Sequence, residues 1–269
     1  MQVVKNLWSL SVLYFVFKAK SQKYSLRSPS TVEMGMTTLD SAAMSKQIFD
    51  YFLVLDFEAT CEEGKKIMPL QEIIEFPVMQ LCGRTFEEVG RFHRYVRPTE
   101  RPVLTSFCTH LTGIVQKRFY QETVAKEETL PEILDAFHTW LVDSDLIGTN
   151  NFAESRFTFL TSGDWDLGVL LPNEARYRRL QLPEQVYFKR WINLKKAFCK
   201  CKGHFAKSLT VMLHDLKLDH VVCSRHGRLH SGIDDVKNMC QIAKCLANSG
   251  YLFKNTSIYI DEKRHFESL

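Results

Sequence analysis

The chain has 269 residues, of which 45% are apolar and 25% are charged, so it is long enough to bury one sizeable core. Its eight cysteines stand at irregular spacings, which argues against a small secreted scaffold held by disulfides and favours free thiols. The formal net charge of +4 is concentrated in the first 50 residues, where six Lys or Arg face three acids. The nearly neutral remainder can bind a polyanion only through local clusters of basic residues.

Residues 1–49 are predicted to be a leader, either disordered or a targeting segment. Their apolar run at 7–17 is too short to span a bilayer comfortably, and Lys18, Lys20 and Lys23 follow it without a cleavage site typical of secretion. We therefore expect no stable membrane association and an intracellular location, cytoplasmic or nuclear. The basic N-terminus leaves organellar targeting open.

The pattern of an α/β domain begins at about residue 50 and is predicted to extend to 256, followed by a C-terminal tail at 257–269. Strands are predicted at 51–57, 73–81, 91–97 and 157–162, and helices at 130–142, 165–171, 184–201, 207–217 and 233–248. The first three strands are expected to pair antiparallel through sequential connections. Strands followed by helices around a further strand indicate a mixed sheet with helices on both faces.

Two carboxylates follow the first predicted strand. Because side chains alternate along a strand, Asp56 and Glu58 project to the same side as Val54. In one interpretation the strand simply ends there and its acids reach solvent. In the other they share a hard divalent cation, which prefers carboxylate oxygens. The strand pattern alone leaves both interpretations open.

A second acidic pair occurs in GDWDL (163–167), directly after the buried strand. Asp164 is well placed to cap the following helix by accepting backbone N–H groups. Asp166 lies one step inside that helix and is left to point elsewhere. The pattern favours Asp166 as the functional acid without excluding the reverse assignment.

Helical periodicity distinguishes the two aspartates of HSGIDD (230–235). If the helix begins near residue 233, Asp235 shares a face with apolar residues such as Met239, whereas Asp234 lies outward beside Lys237. An ionised carboxylate on an apolar stripe is costly unless a partner such as a metal ion neutralises it. His230 lies just before the helix and, taken alone, is compatible with an ordinary loop histidine.

Together these residues resemble the DEDDh exonuclease superfamily: D-x-E on the first strand, an aspartate after a later strand, and H-x₄-D at the last helix. Finer motifs resemble one branch, the three-prime histone mRNA exonuclease or "enhanced RNAi" exonuclease family, in a short form without its SAP module. These motifs are LDFEATCE (55–62), QEIIEFPV (71–78), FCTHLTGI (107–114), GDWDL (163–167), WINLKK (191–196) and HSGIDDVKN (230–238). The resemblance covers residues 50–254.

The resemblance implies an RNase H-like mixed β-sheet flanked by helices and a 3′-to-5′ exonuclease that releases nucleoside 5′-monophosphates from single-stranded RNA 3′ ends. It assigns metal binding to Asp56, Glu58, Asp166 and Asp235. These acids would hold two Mg²⁺ ions, with Mn²⁺ as a substitute. His230 would be the general base that takes a proton from the attacking water.

Substrate contacts also follow from the resemblance. The backbone at Glu58 and Ala59 would contact the terminal nucleotide, and residues 111–114, including Leu111 and Thr112, would wall its pocket beside His230. Ordinary core packing is an alternative explanation for the apolar members of that wall.

A basic stretch follows Asp166. Residues 176–207 contain ten Lys or Arg, among them Lys195 and Lys196, against the single acid Glu184. A groove that contacts phosphates while aromatic side chains stack on bases is typical of single-strand binding. We expect phosphate contact from the lysines; the interleaved aromatics, which include Tyr177, are interpreted as core residues or as base-stacking platforms.

Other functions remain to be separated by experiment. A 3′ exonuclease acting on DNA would use the same catalytic residues, because these do not contact the sugar. A nonenzymatic RNA-binding module would be expected to have lost at least one of the five proposed catalytic and metal-binding residues. A metal-free interaction protein would require all of these acids to be helix caps or surface groups, which needs several independent coincidences. A zinc site at Cys199, Cys201 and His204 is disfavoured because its spacing is unusual.

Overall fold

The computed structural model describes residues 47–67, 69–115, 128–148, 156–180, 186–221, 231–261 and 263–269. These residues belong to one compact unit, Thr37–Leu269. All but the last few residues of the predicted leader lie outside the described part, so that prediction stays a prediction.

A mixed sheet of eight strands forms the centre of this unit. The strands are β1 (Tyr51–Leu55), β2 (Glu58–Ala59), β3 (Ile73–Cys82), β4 (Glu88–Tyr95), β5 (Phe157–Thr161), β6 (Arg190–Asn193), β7 (Ser257–Ile260) and β8 (His265–Ser268). They lie in the order β2-β3-β1-β5-β6-β7-β8, and β4 also pairs with β3. The predicted antiparallel pairing of the first strands is confirmed, because β3 runs antiparallel to β1, β2 and β4.

The first strand lies in the middle of the sheet. It pairs antiparallel with β3 on one side and parallel with β5 on the other. Its residues Phe52 to Leu55 are fully buried, which explains why YFLVL is apolar at every position rather than alternating. The sheet therefore holds the residues that directly follow β1 in a fixed place.

Helices cover both faces of the sheet. They are α1 (Ser106–Thr112), α2 (Leu130–Asp143), a π-helix (Asp166–Leu170) that continues as α3 (Leu171–Tyr177), α4 (Leu194–Lys202), α5 (Leu209–Asp215) and α6 (Gly232–Asn248), with a 3₁₀ turn at Val186–Lys189. One apolar core packs α2 and the π-helix against the sheet, and the other contains α4, α5 and α6. The prediction of an α/β fold with a mixed sheet and helices on both faces is confirmed.

The structure corrects the prediction of one helix over 184–201. Residues Arg190–Asn193 form strand β6, parallel to β5, and α4 begins only at Leu194. The change occurs at Asn193, whose side chain accepts the N–H of Lys196 and caps the helix. A buried four-residue strand that leads directly into a helix has too few residues to display its own period.

The predicted C-terminal tail is also corrected, because residues 257–269 contribute strands β7 and β8 to the sheet. Phe266 of β8 lies against the π-helix so closely that a Cβ on Gly168 would come within 2.5 Å of its ring. The domain therefore continues to the end of the described chain.

Among the helices of the described residues, none combines the length and the apolar character that crossing a lipid bilayer requires.

Candidate active site

Three carboxylates from separate segments meet beside the end of β1. Asp56 follows β1, Glu58 begins β2, and Asp235 lies in the first turn of α6. One carboxylate oxygen from each of these residues lies within 4.8 Å of the others. Residues 179 positions apart in the chain thus offer a shared set of oxygen ligands.

The last helix is brought to this cluster by an unusually close contact. A Cβ on Gly232 would lie 2.9 Å from the carbonyl oxygen of Asp56 and 3.0 Å from Pro77 Cγ. A glycine is therefore needed at the start of α6, since any side chain would push the helix away from the strands. This contact places Asp235, three residues later, within reach of Asp56.

Asp166 reaches the same region through a contact with the residue between Asp56 and Glu58. It is the first residue of the π-helix, is 3% exposed, and its Oδ1 accepts the N–H of Phe57 at 3.0 Å. Phe57 stands between Asp56 and Glu58, so this hydrogen bond holds the β5–α3 segment against the two other acids. A π-turn is an uncommon conformation that is found frequently at functional sites.

The four carboxylates have raised pKa values, as expected for acids that are shielded from water and close to one another. Burial, followed by repulsion from Asp166, Glu58 and Asp235, raises the pKa of Asp56 well above its usual value. Burial and neighbouring carboxylates also raise the pKa of Glu58 to about 8 and that of Asp235 to about 7. Burial raises the pKa of Asp166 to about 6, against the opposing hydrogen bond from Phe57. Together they form a cluster of mutually repelling carboxylates.

Sequence reasoning missed a fifth acid, Glu75. It is 1% exposed near the start of β3, and its carboxylate accepts the N–H of Gly232 at 3.2 Å and lies 2.8 Å from Nε2 of His93. Its charge also contributes to the raised pKa values of Glu58 and Asp235. The signal that could have revealed it is a single carboxylate inside the otherwise uncharged strand IIEFPVMQLC.

The predicted general base, His230, lies outside the described residues, which resume at Ser231. Its role therefore stays a prediction. Ser231 is the N-cap residue of α6, so the chain next to His230 enters the site beside Asp235.

The predicted contacts to the terminal nucleotide lie on β2 and α1. The Sγ atom of Cys108, on α1, lies 3.7 Å from the carbonyl oxygen of Ala59, so the helix packs against β2. Leu111 is half-buried and can form part of a wall. Thr112 is 4% exposed, and its hydroxyl donates to Cys108 O and accepts from Ile114 N. Its hydroxyl proton is therefore used inside the protein, and the place of Thr112 in the wall of the nucleotide pocket stays a prediction.

Asp164 does not cap the helix as predicted. The N-cap of the π-helix is Trp165, without a side-chain cap, whereas Asp164 Oδ1 accepts from Ser257 Oγ at 2.6 Å and from Trp191 Nε1 at 3.0 Å. Lys196 forms an ion pair with the same carboxylate at 3.0 Å. Burial raises the pKa of Asp164, but the hydrogen bonds from Ser257 and Lys196 outweigh it and lower the pKa below its usual value.

The two lysines predicted to contact phosphate, Lys195 and Lys196, have different partners in the structure. Lys196 Nζ also donates to Ser257 at 3.0 Å and to Ser268 at 2.8 Å, so it joins α4 to the C-terminal strands and is a structural residue. Lys195 is half-buried, and its charge opposes the rise in the pKa of Asp166. Lys195 thus lies near the acidic cluster and remains a candidate for substrate contact.

The remaining basic and aromatic residues are divided by burial. Arg178 is held by Glu72 and Glu174, and Lys189 pairs with Asp261. Most of the aromatic residues of this stretch, namely Phe188, Trp191 and Phe198, lie in the two cores, whereas Tyr177 is 47% exposed.

Asp234 was predicted to face outward but is 8% exposed, because its ion pair with Lys237 at 2.8 Å covers it.

Comparison with known proteins agrees with this geometry. The family model described as exonuclease (RNase T) matches residues 53–243. The chain is 43% identical over 234 residues to "ERI1 exoribonuclease 3" of Bos taurus, an alignment that covers 87% of this chain and 64% of that protein. The chain therefore spans a little under two thirds of that relative's length.

The solved structures that are similar to this fold include two nucleases. One is described as the nuclease domain of 3′hExo, a DEDDh family member, bound to rAMP; it has a TM-score of 0.67 and 34% identity, and covers 77% of this chain and 96% of that one. The other is described as a 3′-exonuclease recognising a histone mRNA stem-loop, with a TM-score of 0.72, 31% identity, and coverage of 83% and 71%. With the family match and the predicted motifs in place, the chain belongs to the RNase T-type exonuclease family, in its DEDDh branch of ERI1-like and histone mRNA 3′-exonucleases.

Proposed function

We propose that the protein is a 3′-to-5′ exoribonuclease that depends on divalent cations and removes nucleoside 5′-monophosphates from single-stranded RNA 3′ ends. The observation that carries the proposal is the acidic cluster, in which oxygens of Asp56, Glu58 and Asp235 lie within 4.8 Å of one another. Family membership supplies the reaction class, since the matching family model is that of exonucleases.

The residues of the cluster fit a divalent cation. The strongest electrostatic influences on Asp56 all come from other carboxylates, so the ionised cluster is costly without a positive charge. Mg²⁺ prefers oxygen ligands and is bound by one or two carboxylates together with substrate phosphates, and Mn²⁺ accepts the same ligands. Asp56, Glu58 and Asp235 would hold the cations, and Asp166 would complete the set from the position that Phe57 gives it.

Hydrolysis of a phosphodiester requires a water positioned for attack and a stabilised leaving oxygen. Bound cations supply Lewis acidity for both requirements. His230, directly before the N-cap residue Ser231, would accept the proton of the attacking water. The backbone of Glu58 and Ala59, with Leu111 opposite, would hold the terminal nucleotide so that its phosphate lies over the carboxylates. Lys195 would attract the phosphate backbone electrostatically.

RNA is the proposed substrate because of the relatives. One structural relative is described as bound to rAMP and another as recognising a histone mRNA stem-loop. A ribose 2′-hydroxyl gives a protein the means to distinguish RNA from DNA at a given position.

The test is digestion of 5′-labelled RNA and DNA strands of one sequence by the full-length protein, with Mg²⁺, with Mn²⁺ or with EDTA. We expect RNA to shorten in one-nucleotide steps from its 3′ end, only with a cation, and to release nucleoside 5′-monophosphates. Asp56→Asn is the matched inactive control, because it keeps the side-chain size and removes the charge. Efficient digestion of DNA alone would contradict the proposal that RNA is the substrate. Absence of cation-dependent shortening of either strand would contradict the proposal that the protein is a nuclease.

A further inference from the structure

A groove lies outside the acidic cluster, between residues 66, 67 and 69–71 on one side and the helical segment formed by the π-helix and α3 on the other. Its volume is about 570 Å³, and its lining includes Lys66, Leu70, Trp165, Arg176 and Tyr177. It is large enough for a ligand bigger than one amino-acid side chain, because ligand pockets generally begin at roughly 300 Å³.

Exposed aromatic side chains are the unusual feature of this groove. Trp165 is 39% exposed and Tyr177 is 47% exposed, whereas Trp191 on the neighbouring strand β6 is fully buried. The two residues are separated by 12 positions of helical chain, or roughly 18 Å at about 1.5 Å per residue. The hydroxyl of Tyr177 donates to Glu100 at 3.2 Å, so its ring is held in place at the edge of the groove.

Basic side chains accompany these rings. Lys66 is exposed, and Arg176 donates from Nη2 to the hydroxyl of Tyr259 at 2.9 Å and from Nη1 to Asn173 at 3.3 Å. A guanidinium has five N–H donors, so Arg176 is oriented by these partners and keeps donors for an anion. The groove therefore combines flat apolar surfaces with positive charge.

The walls of the groove are connected at two points to the chain segments that carry the proposed active site. Trp165 directly precedes Asp166, which holds its place in the acidic cluster through Phe57. Gln71, on the opposite wall, donates from Nε2 to the carbonyl oxygen of Thr60 at 3.0 Å, one residue beyond Ala59. Both walls are thus attached to the segments that carry the cation ligands and the predicted contact to the terminal nucleotide.

We infer that this groove binds the nucleotides on the 5′ side of the scissile phosphodiester, with bases stacking on Trp165 and Tyr177 and phosphates contacting Lys66 and Arg176. The inference rests on the proposed exonuclease function and adds a subsite to it. Stacking on an aromatic ring tolerates every base, so the groove binds single strands without reading their sequence. It would hold the body of the RNA while the terminal nucleotide is removed.

The experiment compares two substrates that differ only on the 5′ side of the scissile bond. One is a single-stranded RNA, and the other is the p-nitrophenyl ester of uridine 5′-monophosphate, which has a terminal nucleotide but no upstream nucleotide. The full-length protein is compared with Tyr177→Ala, Tyr177→Phe and Lys66→Ala. The control Phe205→Ala removes an aromatic ring of similar exposure, 64%, from the segment between α4 and α5 on the other face of the sheet.

We expect Tyr177→Ala to lower kcat/KM for RNA on the order of tenfold and to leave the ester within about twofold of wild type. Tyr177→Phe, which keeps the ring, should match wild type on both substrates, as should Phe205→Ala. For Lys66→Ala, the slope of log RNA affinity against log salt should decrease by roughly 0.7. Equal losses on RNA and ester, or no loss on RNA, would overturn the groove assignment.

RNA binding in EDTA separates this inference from the proposed function. A wild-type protein that binds RNA through Tyr177 and Lys66 but hydrolyses neither substrate would contradict the exonuclease proposal and leave the groove in place. A wild-type enzyme that degrades RNA and is unaffected by the groove variants would contradict the groove alone.

Discussion

The backbone N–H of Gly232 donates a hydrogen bond to the buried carboxylate of Glu75 at 3.2 Å. This contact joins the first residue of α6 to the third residue of β3, 157 positions earlier in the chain. The other oxygen of Glu75 lies 2.8 Å from His93, so the carboxylate is fixed from both sides. The position of Asp235 in the cluster thus depends on a residue that is itself one of the buried acids.

Gly232→Ala should disrupt this junction. The new methyl group would lie 2.9 Å from the carbonyl oxygen of Asp56 and 3.1 Å from the Glu75 carboxylate, and backbone atoms cannot yield as a flexible side chain can. We expect a loss of stability on the order of 1–3 kcal/mol and a large loss of RNA digestion. The measurements are urea unfolding and single-turnover digestion. Gly163→Ala is the matched control for stability, because a Cβ there meets no atom within 4 Å; equal unfolding curves for the two variants would contradict the tight contact.

Stability without cations should decrease as pH rises. The folded protein raises the pKa of Glu58 from 4.5 to about 8 and that of Asp235 from 3.8 to about 7, so it retains protons that the unfolded chain loses. The stabilisation linked to these protons is complete below the unfolded pKa values and is lost as pH increases through the folded ones. In EDTA, Tm should therefore fall between about pH 5 and pH 8.5, and Mg²⁺ should raise Tm most at the alkaline end.

Two comparisons make that experiment specific to the cluster. Burial also raises the pKa of Glu174 to about 7, against hydrogen bonds from Ile73 and Arg178. Deprotonation of this acid therefore also lowers Tm as pH rises, and added cations will not reverse that part of the decrease. Asp56→Asn removes a carboxyl group whose own pKa is raised well above its usual value, so it should flatten the pH dependence of Tm in EDTA while abolishing turnover. If wild type and Asp56→Asn lose Tm in parallel, the decline arises outside the cluster.

Lys195→Ala and Lys196→Ala form a matched pair at neighbouring positions. Lys196 bonds Asp164, Ser257 and Ser268, so its removal should lower stability on the order of 1–2 kcal/mol and leave the salt dependence of RNA binding unchanged. Lys195 lies near Asp166, so its removal should weaken RNA binding and reduce the salt slope by roughly 0.7 with little effect on Tm. Thermal unfolding and salt-dependent anisotropy measure the two effects, and the reverse pattern would refute the assignment of the pair.

His230→Ala should separate proton transfer from cation binding. A general base contributes about 10²–10⁴-fold to the rate, so the variant should digest RNA more slowly by that factor while still binding Mg²⁺ and RNA. The wild-type rate should decrease on the acid side as the imidazole is protonated near its reference pKa of about 6.5, and the variant should lack that limb. Single-turnover rates across pH at saturating Mg²⁺ test this. A variant with near wild-type rates and the same acid limb would require a different base.

The order and local periodicity of the residues were sufficient to identify the ligand candidates and the fold class. Asp56 and Glu58 share a side because strand side chains alternate, and Asp235 points inward because it lies on the apolar stripe of its helix. The motifs around these acids also identified the family. All of this follows from features that extend over a few neighbouring residues and do not require knowledge of which distant segments meet.

Contacts between distant segments were decided only by tertiary structure. The sequence around Glu75 does not indicate its role, because its partners Gly232 and His93 lie far from it in the chain. Asp164 was predicted as a cap, and Lys196 as a phosphate contact, because local rules cannot reveal that the C-terminal strands return to bind both. Strands β7 and β8, with four residues each, are too short to show a pattern of their own, so their pairing comes from the register of the whole sheet.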